Sequence, residues 1–316
     1  MKKKTHKISL FAGIIALSLL AMEAINKFIF LLSTKRESLY RENTYSYNWR
    51  FGKISYNKIG SGSPILLIHD LSNLGSSYEF KDLEKCLSKT NTVYTIDLIG
   101  CGLSDKPKIT YTNYLYVQLI SDFIKNVVGS KTTVLTSNRS SSIGIMASYI
   151  DPAYIKQLVL INPTDLNELA KFPKRKHKLL QYFFSIPIIG TFIYNMCNTR
   201  CCINNKVYKQ YLYKHQPIQR YREAFFTSAH TQGSASKYLF TSIKCHYTNI
   251  NILRALQSID KPIYILAGSD VPNIKATISD YVHYNPDISV SYIDNSKEMP
   301  HIEKTMECIN QLSSIL

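Results

Sequence analysis

Apolar residues follow two different rhythms along this chain. Near the start, ISLFAGIIALSLLAM (8–22) is unbroken, and EAINKFIFLLS (23–33) continues it with three polar interruptions. The unbroken part has 15 residues, whereas crossing a bilayer takes about 20. Counting on through Leu32 reaches that length and takes in Glu23, Asn26 and Lys27. Glu23 and Lys27 stand four apart, so they can pair on one helix face, and Lys27 can reach towards headgroups. The segment predicts an uncleaved membrane anchor over 1–33. A signal peptide is the rival, although no small-x-small cleavage site follows the run. The polar stretch TKRESLYRENT (34–44) reads as a linker.

From residue 45 the rhythm changes. YSYNWRFGKISYNKIG alternates around a Gly turn, as a hairpin does. Short, nearly continuous apolar runs follow at PILLIHD (64–70), NTVYTIDL (91–98), TTVLTS (132–137), IKQLVLINP (155–163), KPIYILAGSD (261–270) and ISVSYIDN (288–295). PILLIHD and NTVYTIDL fit buried strands, and the other runs read as strands. Between them lie helical patterns: 76–89, NYLYVQLISDFIKNVVG (113–129) with Gly129 as a C-cap, SSIGIMASYI ending at Asp151-Pro152, 273–283, and a final helix HIEKTMECINQLSSIL. Strands alternating with helices predict an α/β fold, a mostly parallel sheet with helices on both faces, over 45–316. Residues 166–255 interrupt the alternation and read as a helical lid.

Charge adds one thing to this picture. The 316-residue chain carries 38 Lys and Arg against 22 Asp and Glu, a formal +16. That balance favours anionic surfaces such as phospholipid headgroups or nucleic acid. No aromatic-basic nucleic-acid motif is present, so a nucleic-acid partner is set aside. From Lys171 to Lys214 the lid has nine Lys or Arg and no acidic residue, with Phe183, Phe184 and Phe192 interleaved. This suits a membrane surface next to an anchor, as well as an ordinary solvated cap. Basic residues flank the apolar run on both sides; the order of basic residues then apolar run tilts the domain to the extracytoplasmic side. Seven cysteines in no metal-type pairing predict neither a disulfide framework nor a metal site. No phosphate-binding loop or cofactor motif occurs, and no cofactor is expected.

Three stretches carry chemistry in an informative order: LLIHD (66–70), DLIGCGLSDKP (97–107) and the serine cluster LTSNRSSSIGIMAS (135–148). Together they resemble the α/β-hydrolase family with a helical lid. The D-x-x-G-x-G-x-S element is intact as Asp97, Gly100, Gly102 and Ser104, with Pro107 after it. Its glycines imply tight turning rather than catalysis.

The resemblance implies a serine nucleophile on a strand-to-helix corner, a strand-end acid and a late histidine. Asn138-Arg139-Ser140-Ser141-Ser142 stands where the family has G-x-S-x-G, with Ser140 central. A shift of one would place Arg139 there instead. Ser140 leaves Ile143, Met146, Ala147 and Ile150 on one helical face; the serines can equally cap the helix. The oxyanion hole would use the backbone N–H groups of Ser141 and Leu71. Asp70 replaces a usual glycine there, and His69 reads as a structural hydrogen-bonding residue. Asp270 follows PIYILAG as the acid, with Asp165 in reserve. The family's G-H-x-P-x-x-E becomes Lys297-Glu298-Met299-Pro300-His301-Ile302-Glu303. Glu298 takes the histidine's place and His301 lies about one helical turn on. Either His301 or a buried Glu298 would be the base.

Two functions fit. One is a membrane-anchored serine hydrolase acting on an ester or related acyl or aromatic small molecule. The other is a catalytically degenerate hydrolase fold that binds a ligand or a protein.

Overall fold

The computed structural model describes residues 2–34, 39–41, 43–211 and 218–316. Helix α1 spans Lys2–Thr34. Strands β1 (Thr44–Trp49), β2 (Gly52–Ile59), β3 (Ser63–Ile68) and β4 (Asn91–Ile96) follow, with helix α2 (Lys81–Leu87) between the last two. Next come α3 (Asn113–Phe123), β5 (Thr132–Ser137), α4 (Ser141–Ile150) and β6 (Ile155–Ile161). The insert expected to form a lid contributes α5 (Leu166–Leu169), α6 (Arg175–Ser185), α7 (Pro187–Cys197), α8 (Arg200–Lys206), α9 (Ile218–His230) and α10 (Ser236–Lys244). After α11 (Leu253–Ser258) the alternation resumes with β7 (Ile263–Gly268), α12 (Ile274–Tyr284), β8 (Ser289–Ile293), α13 (Pro300–Glu303) and α14 (Thr305–Ser313).

The eight strands form one sheet in the order β1-β2-β4-β3-β5-β6-β7-β8. β2 runs antiparallel to β1 and β4, and the remaining pairs are parallel. Parallel strands need crossover helices, which cover both faces and explain the near-continuous apolar runs. Alternate residues then feed two cores. Leu66, Ile68, Val134, Leu158 and Leu160 point into one. Ile65, Leu67, Val93, Leu135, Val159 and Ile161 point into the other. A third cluster, with Leu74, Tyr78, Tyr221, Phe225 and Met299, seats the lid on the rim of the sheet.

The element D-x-x-G-x-G-x-S is a hydrogen-bonded knot. Asp97 accepts from the Ser77 and Leu103 N–H groups at 2.6 and 2.7 Å, and the Ser104 hydroxyl donates to the Asp97 carbonyl at 2.6 Å. Gly102 has φ +47°, and a Cβ there would meet Asp97 Oδ2 at 2.3 Å. Only glycine satisfies both demands. Gly129 caps the α3 segment in the left-handed region, as its position predicts.

Two expectations change. The last helix divides at Lys304 into α13 and α14. The linker expected at 34–44 lies partly outside the described residues, at 35–38 and 42. Within its described part, Leu39 is buried in the third cluster and Arg41 pairs with buried Glu84 and donates to the Ser77 carbonyl at 2.6 Å. Leu39 and Arg41 are therefore packed against the domain.

Candidate functional site

The corner between β5 and α4 sets the register of the site. Ser137 is extended, Asn138 has φ +47°, and Ser140 is already helical at φ −67°, ψ −13°. The left-handed residue of a strand-to-helix corner is the one whose side chain stands out above the sheet. Here that residue is Asn138, two positions before the expected Ser140. Asn is among the few non-glycine residues that occupy this region at modest cost. The small residues flanking it are Thr136 and Ser140.

Ser140 therefore lies beneath the corner. It is 0% exposed and its hydroxyl donates to the His69 carbonyl at 2.5 Å. The Ser141 N–H is bonded to the Asn138 carbonyl inside the turn, and the Ser142 hydroxyl donates to the Arg139 carbonyl at 3.0 Å. The serine hydroxyls thus donate to backbone carbonyls, and neither Ser137 nor Ser140 makes the side-chain bond of a helix cap. Leu71 is buried in the main core.

His301 is engaged elsewhere. It is buried against Phe80, with ring centroids 5.0 Å apart, and its Nε2 lies 3.0 Å from Glu79 Oε1. Glu79 also accepts from the Asp70 N–H at 3.1 Å. Burial alone would push the Glu79 carboxyl up, but the hydrogen bond and charge of His301 hold it below the usual carboxylate range. His69 is structural, as expected. Its Nε2 accepts from the Leu98 N–H at 3.1 Å, which leaves Nδ1–H to donate to the Asp70 carbonyl at 2.8 Å. Ser140 and His301 are thus bonded to His69 and Glu79, and of the three residues expected to act together Asp270 lines the cavity described next.

What it does bring together is a cavity of about 570 Å³ above the corner, lined by Asn138, Arg139, Asp70, Asp270, Asp165 and Glu298, among others. With its nitrogen turned to the acceptors, the Asn138 amide donates to Glu298 Oε2 at 2.9 Å and to the Asn162 carbonyl at 3.1 Å. Asn162 holds the Glu298 loop in place: its amide nitrogen donates to the Lys297 and Glu298 carbonyls, both at 3.0 Å, and its oxygen accepts from the Gly268 N–H at 2.9 Å. The Arg139 N–H, which follows the corner residue, donates to Asp70 Oδ1 at 3.2 Å. A carboxylate thus sits where an oxyanion would need that donor.

Burial pushes the Asp70 carboxyl up, and nearby Glu79 adds to this. Glu298 is pushed up to about 7 by burial and then by Asp70, with Arg139 opposing. Asp270 lies on the rim of the same cavity and accepts from the Ser269 hydroxyl at 2.7 Å. Asp165 caps α5, accepting from the Asn167 and Glu168 N–H groups at 2.8 and 3.0 Å.

A second chamber of about 630 Å³ shares Asp70, Arg139 and Glu168 with the first and extends under the lid. Lys206 and Lys244 line it. Burial lowers the Lys206 ammonium; Asp70 opposes this, while Lys244 and Arg139 add to it. Three cations therefore converge beside a pair of carboxylates. Sequence reasoning missed Asn138, Asn162, Glu79 and these lysines. A search for small residues two positions either side of any side chain would have found Thr136-x-Asn138-x-Ser140.

No protein-family model matches the chain. It is 30% identical over 114 residues to a cis-3-alkyl-4-alkyloxetan-2-one decarboxylase of Shewanella oneidensis, a match covering 35% of each chain. It is 27% identical over 138 residues to a 2-hydroxy-6-oxo-6-(2'-aminophenyl)hexa-2,4-dienoic acid hydrolase of Metapseudomonas resinovorans, covering 43% of this chain and 47% of that one. The chain thus spans about a third to a half of these relatives' length. Solved structures match much further. A serine hydrolase involved in carbazole degradation superposes at a TM-score of 0.71 and 17% identity, over 86% of this chain and 97% of its own. A membrane phospholipase A superposes at 0.67 and 15% identity, over 99% of this chain and 97% of its own, so its match takes in α1.

Proposed function

For a chain that has the α/β-hydrolase fold, we propose a degenerate site: a binding pocket for a small polar molecule in place of a serine-hydrolase centre. One observation carries this reading. The corner residue is Asn138, whose amide is bonded to Glu298 where the family has histidine. A carboxamide is no acyl-transfer nucleophile, and Asp70 on the Arg139 N–H would repel a developing oxyanion. The ligand class follows from the walls. A group that donates hydrogen bonds meets Asp70 and Glu298, and an anionic group meets Arg139, Lys206 and Lys244. A short carboxylate or phosphomonoester bearing hydroxyl or amino groups fits both ends.

The reading is tested by calorimetric titration with a panel of hydroxy- and amino-substituted carboxylates and phosphomonoesters. A binder whose affinity falls about tenfold or more in Arg139→Gln supports it. A panel without any binder, alongside ester turnover that disappears in Ser140→Ala, would overturn it.

A second reading rests on Glu298. A carboxyl pushed up to about 7 is poised to take a proton from water near neutral pH. Hydrolysis of an ester or related bond would then proceed by attack of that water, without a covalent intermediate. Turnover that survives Ser140→Ala and is lost in Glu298→Gln would select it.

The membrane anchor belongs to the same proposal. Within α1, residues Lys7–Ser33 are long and apolar enough to cross a bilayer, and the segment stands near the N-terminus, as a signal sequence would. The exposed Ile8, Leu10, Phe11, Ile14, Leu17 and Leu20 support a bilayer around it.

A further inference from the structure

We infer that the lid is seated on the membrane: α6 lies obliquely in the headgroup region of an anionic leaflet, beside the point where α1 enters the bilayer. This rests on α1 being a span and adds a second, independent contact.

The geometry of α1 fixes the level of the surface. From Ile8 to Asn26 the helix rises about 27 Å at 1.5 Å per residue, close to the ~30 Å of bilayer hydrocarbon. Asn26 is where α1 first becomes buried in the protein. Its amide donates to the Ile188 carbonyl at 3.3 Å, and its oxygen accepts from Asn195 Nδ2 at 2.8 Å. With Ile8 at one boundary of the hydrocarbon, Asn26 lies at the other, and with it the corner where α6 meets α7 at 103°.

That corner presents apolar surface. Leu179, Tyr182 and Phe183 are 72%, 69% and 42% exposed and stand at i, i+3 and i+4, on one face of α6. Beyond Asn26, α1 itself still exposes Phe28, Leu31 and Leu32. Exposed large apolar side chains grouped on one helix face imply a partner.

The charges say which partner. Lys174, Arg175, Lys176 and Lys178 crowd the first turn of α6, which has no acidic residue. The helix's own dipole disfavours cations at that end, so nothing within the helix accounts for them. Anionic headgroups do. The basic turn is far from the α7 corner and the apolar face is next to it, so the helix dips from headgroup level towards hydrocarbon as it nears α1. Inside the lid, Lys237 fixes the corner: its ammonium donates to the Ile186 carbonyl at 3.2 Å and to the Thr191 hydroxyl at 3.1 Å.

The test uses the full chain in vesicles of brominated phosphatidylglycerol, with tryptophan placed at exposed sites. Leu17→Trp reports the span and Leu179→Trp reports the lid. Native Trp49, buried on the edge strand β1, gives the unquenched reference. Loss of emission from both introduced tryptophans is expected, with loss at 179 reversed by adding Lys176→Glu and Lys178→Glu. Quenching at 17 without quenching at 179 would overturn the lid contact and leave the span standing. Quenching at neither would overturn both. Quenching at 179 that is undiminished in brominated phosphatidylcholine would overturn the anionic requirement.

Discussion

Removing the His301 imidazole strands Glu79 in a site with no exposure to water. Breaking a buried pair by deleting one partner costs about 3–5 kcal/mol. His301→Ala should lower the unfolding free energy by that order in a denaturant titration, while leaving ligand affinity in the pocket unchanged. A catalytic His301 would show the opposite balance. Glu298 gives a pH signature. The unfolded chain releases this proton near the ordinary 4.5, but the folded protein keeps it up to about 7. Below the lower value both states hold the proton and stability is unaffected. As pH rises through the window only the unfolded chain ionises, so stability falls, and the loss is complete above about 7. Glu298→Gln should therefore be more stable than the wild type at about pH 8 and equal to it at about pH 4 in thermal unfolding. Glu303, also pushed up to about 7 by burial, keeps its own share of the slope in both proteins.

Asn26 does for α1 what a single polar residue can do in an apolar helix: it fixes where and how the helix docks. Asn26→Leu deletes both of its bonds to α7 and leaves the Ile188 carbonyl and Asn195 amide without them. The expected cost is about 1–3 kcal/mol, seen as faster amide exchange in α7 with that of β5 and β6 unchanged. The β5–α4 corner shows why this element was legible in outline and not in register. A buried β-branched strand followed by a small-residue helix marks a corner at the serine cluster, and a corner is found there. The apolar stripe used to choose Ser140 begins only after the turn. Ile143 and Ala147 are buried whichever residue heads it, and Ile150 is in fact exposed. What decides the register is the single positive φ, and Asn138 carries it without any glycine to announce it.

At the scale of the whole molecule, the layered sheet was legible because central parallel strands read as apolar runs, and each run is a strand, including the partly exposed edge strand β8. The helical insert was legible as an interruption and the glycine element as a tight turn, which the structure closes around Asp97. The pairing of His301 with Glu79 was not, because it joins α13 to the turn before α2, across more than 200 residues, and no local pattern encodes it. Lys206 and Lys244 likewise stand far along the chain from Asp70, and the three line one chamber only in the folded protein. On the proposed reading, the positions where the family has nucleophile, base and oxyanion donor are taken here by the Asn138 amide and the Glu298 and Asp70 carboxylates.

The most direct test of that account is labelling of the full chain with a fluorophosphonate serine probe, followed by peptide mapping. The account predicts no adduct on the folded wild type, and an adduct at position 138 once Asn138→Ser, Asp70→Gly and Glu298→His are combined to rebuild nucleophile, oxyanion hole and base. An adduct on Ser140 of the wild type, lost in Ser140→Ala, would contradict it.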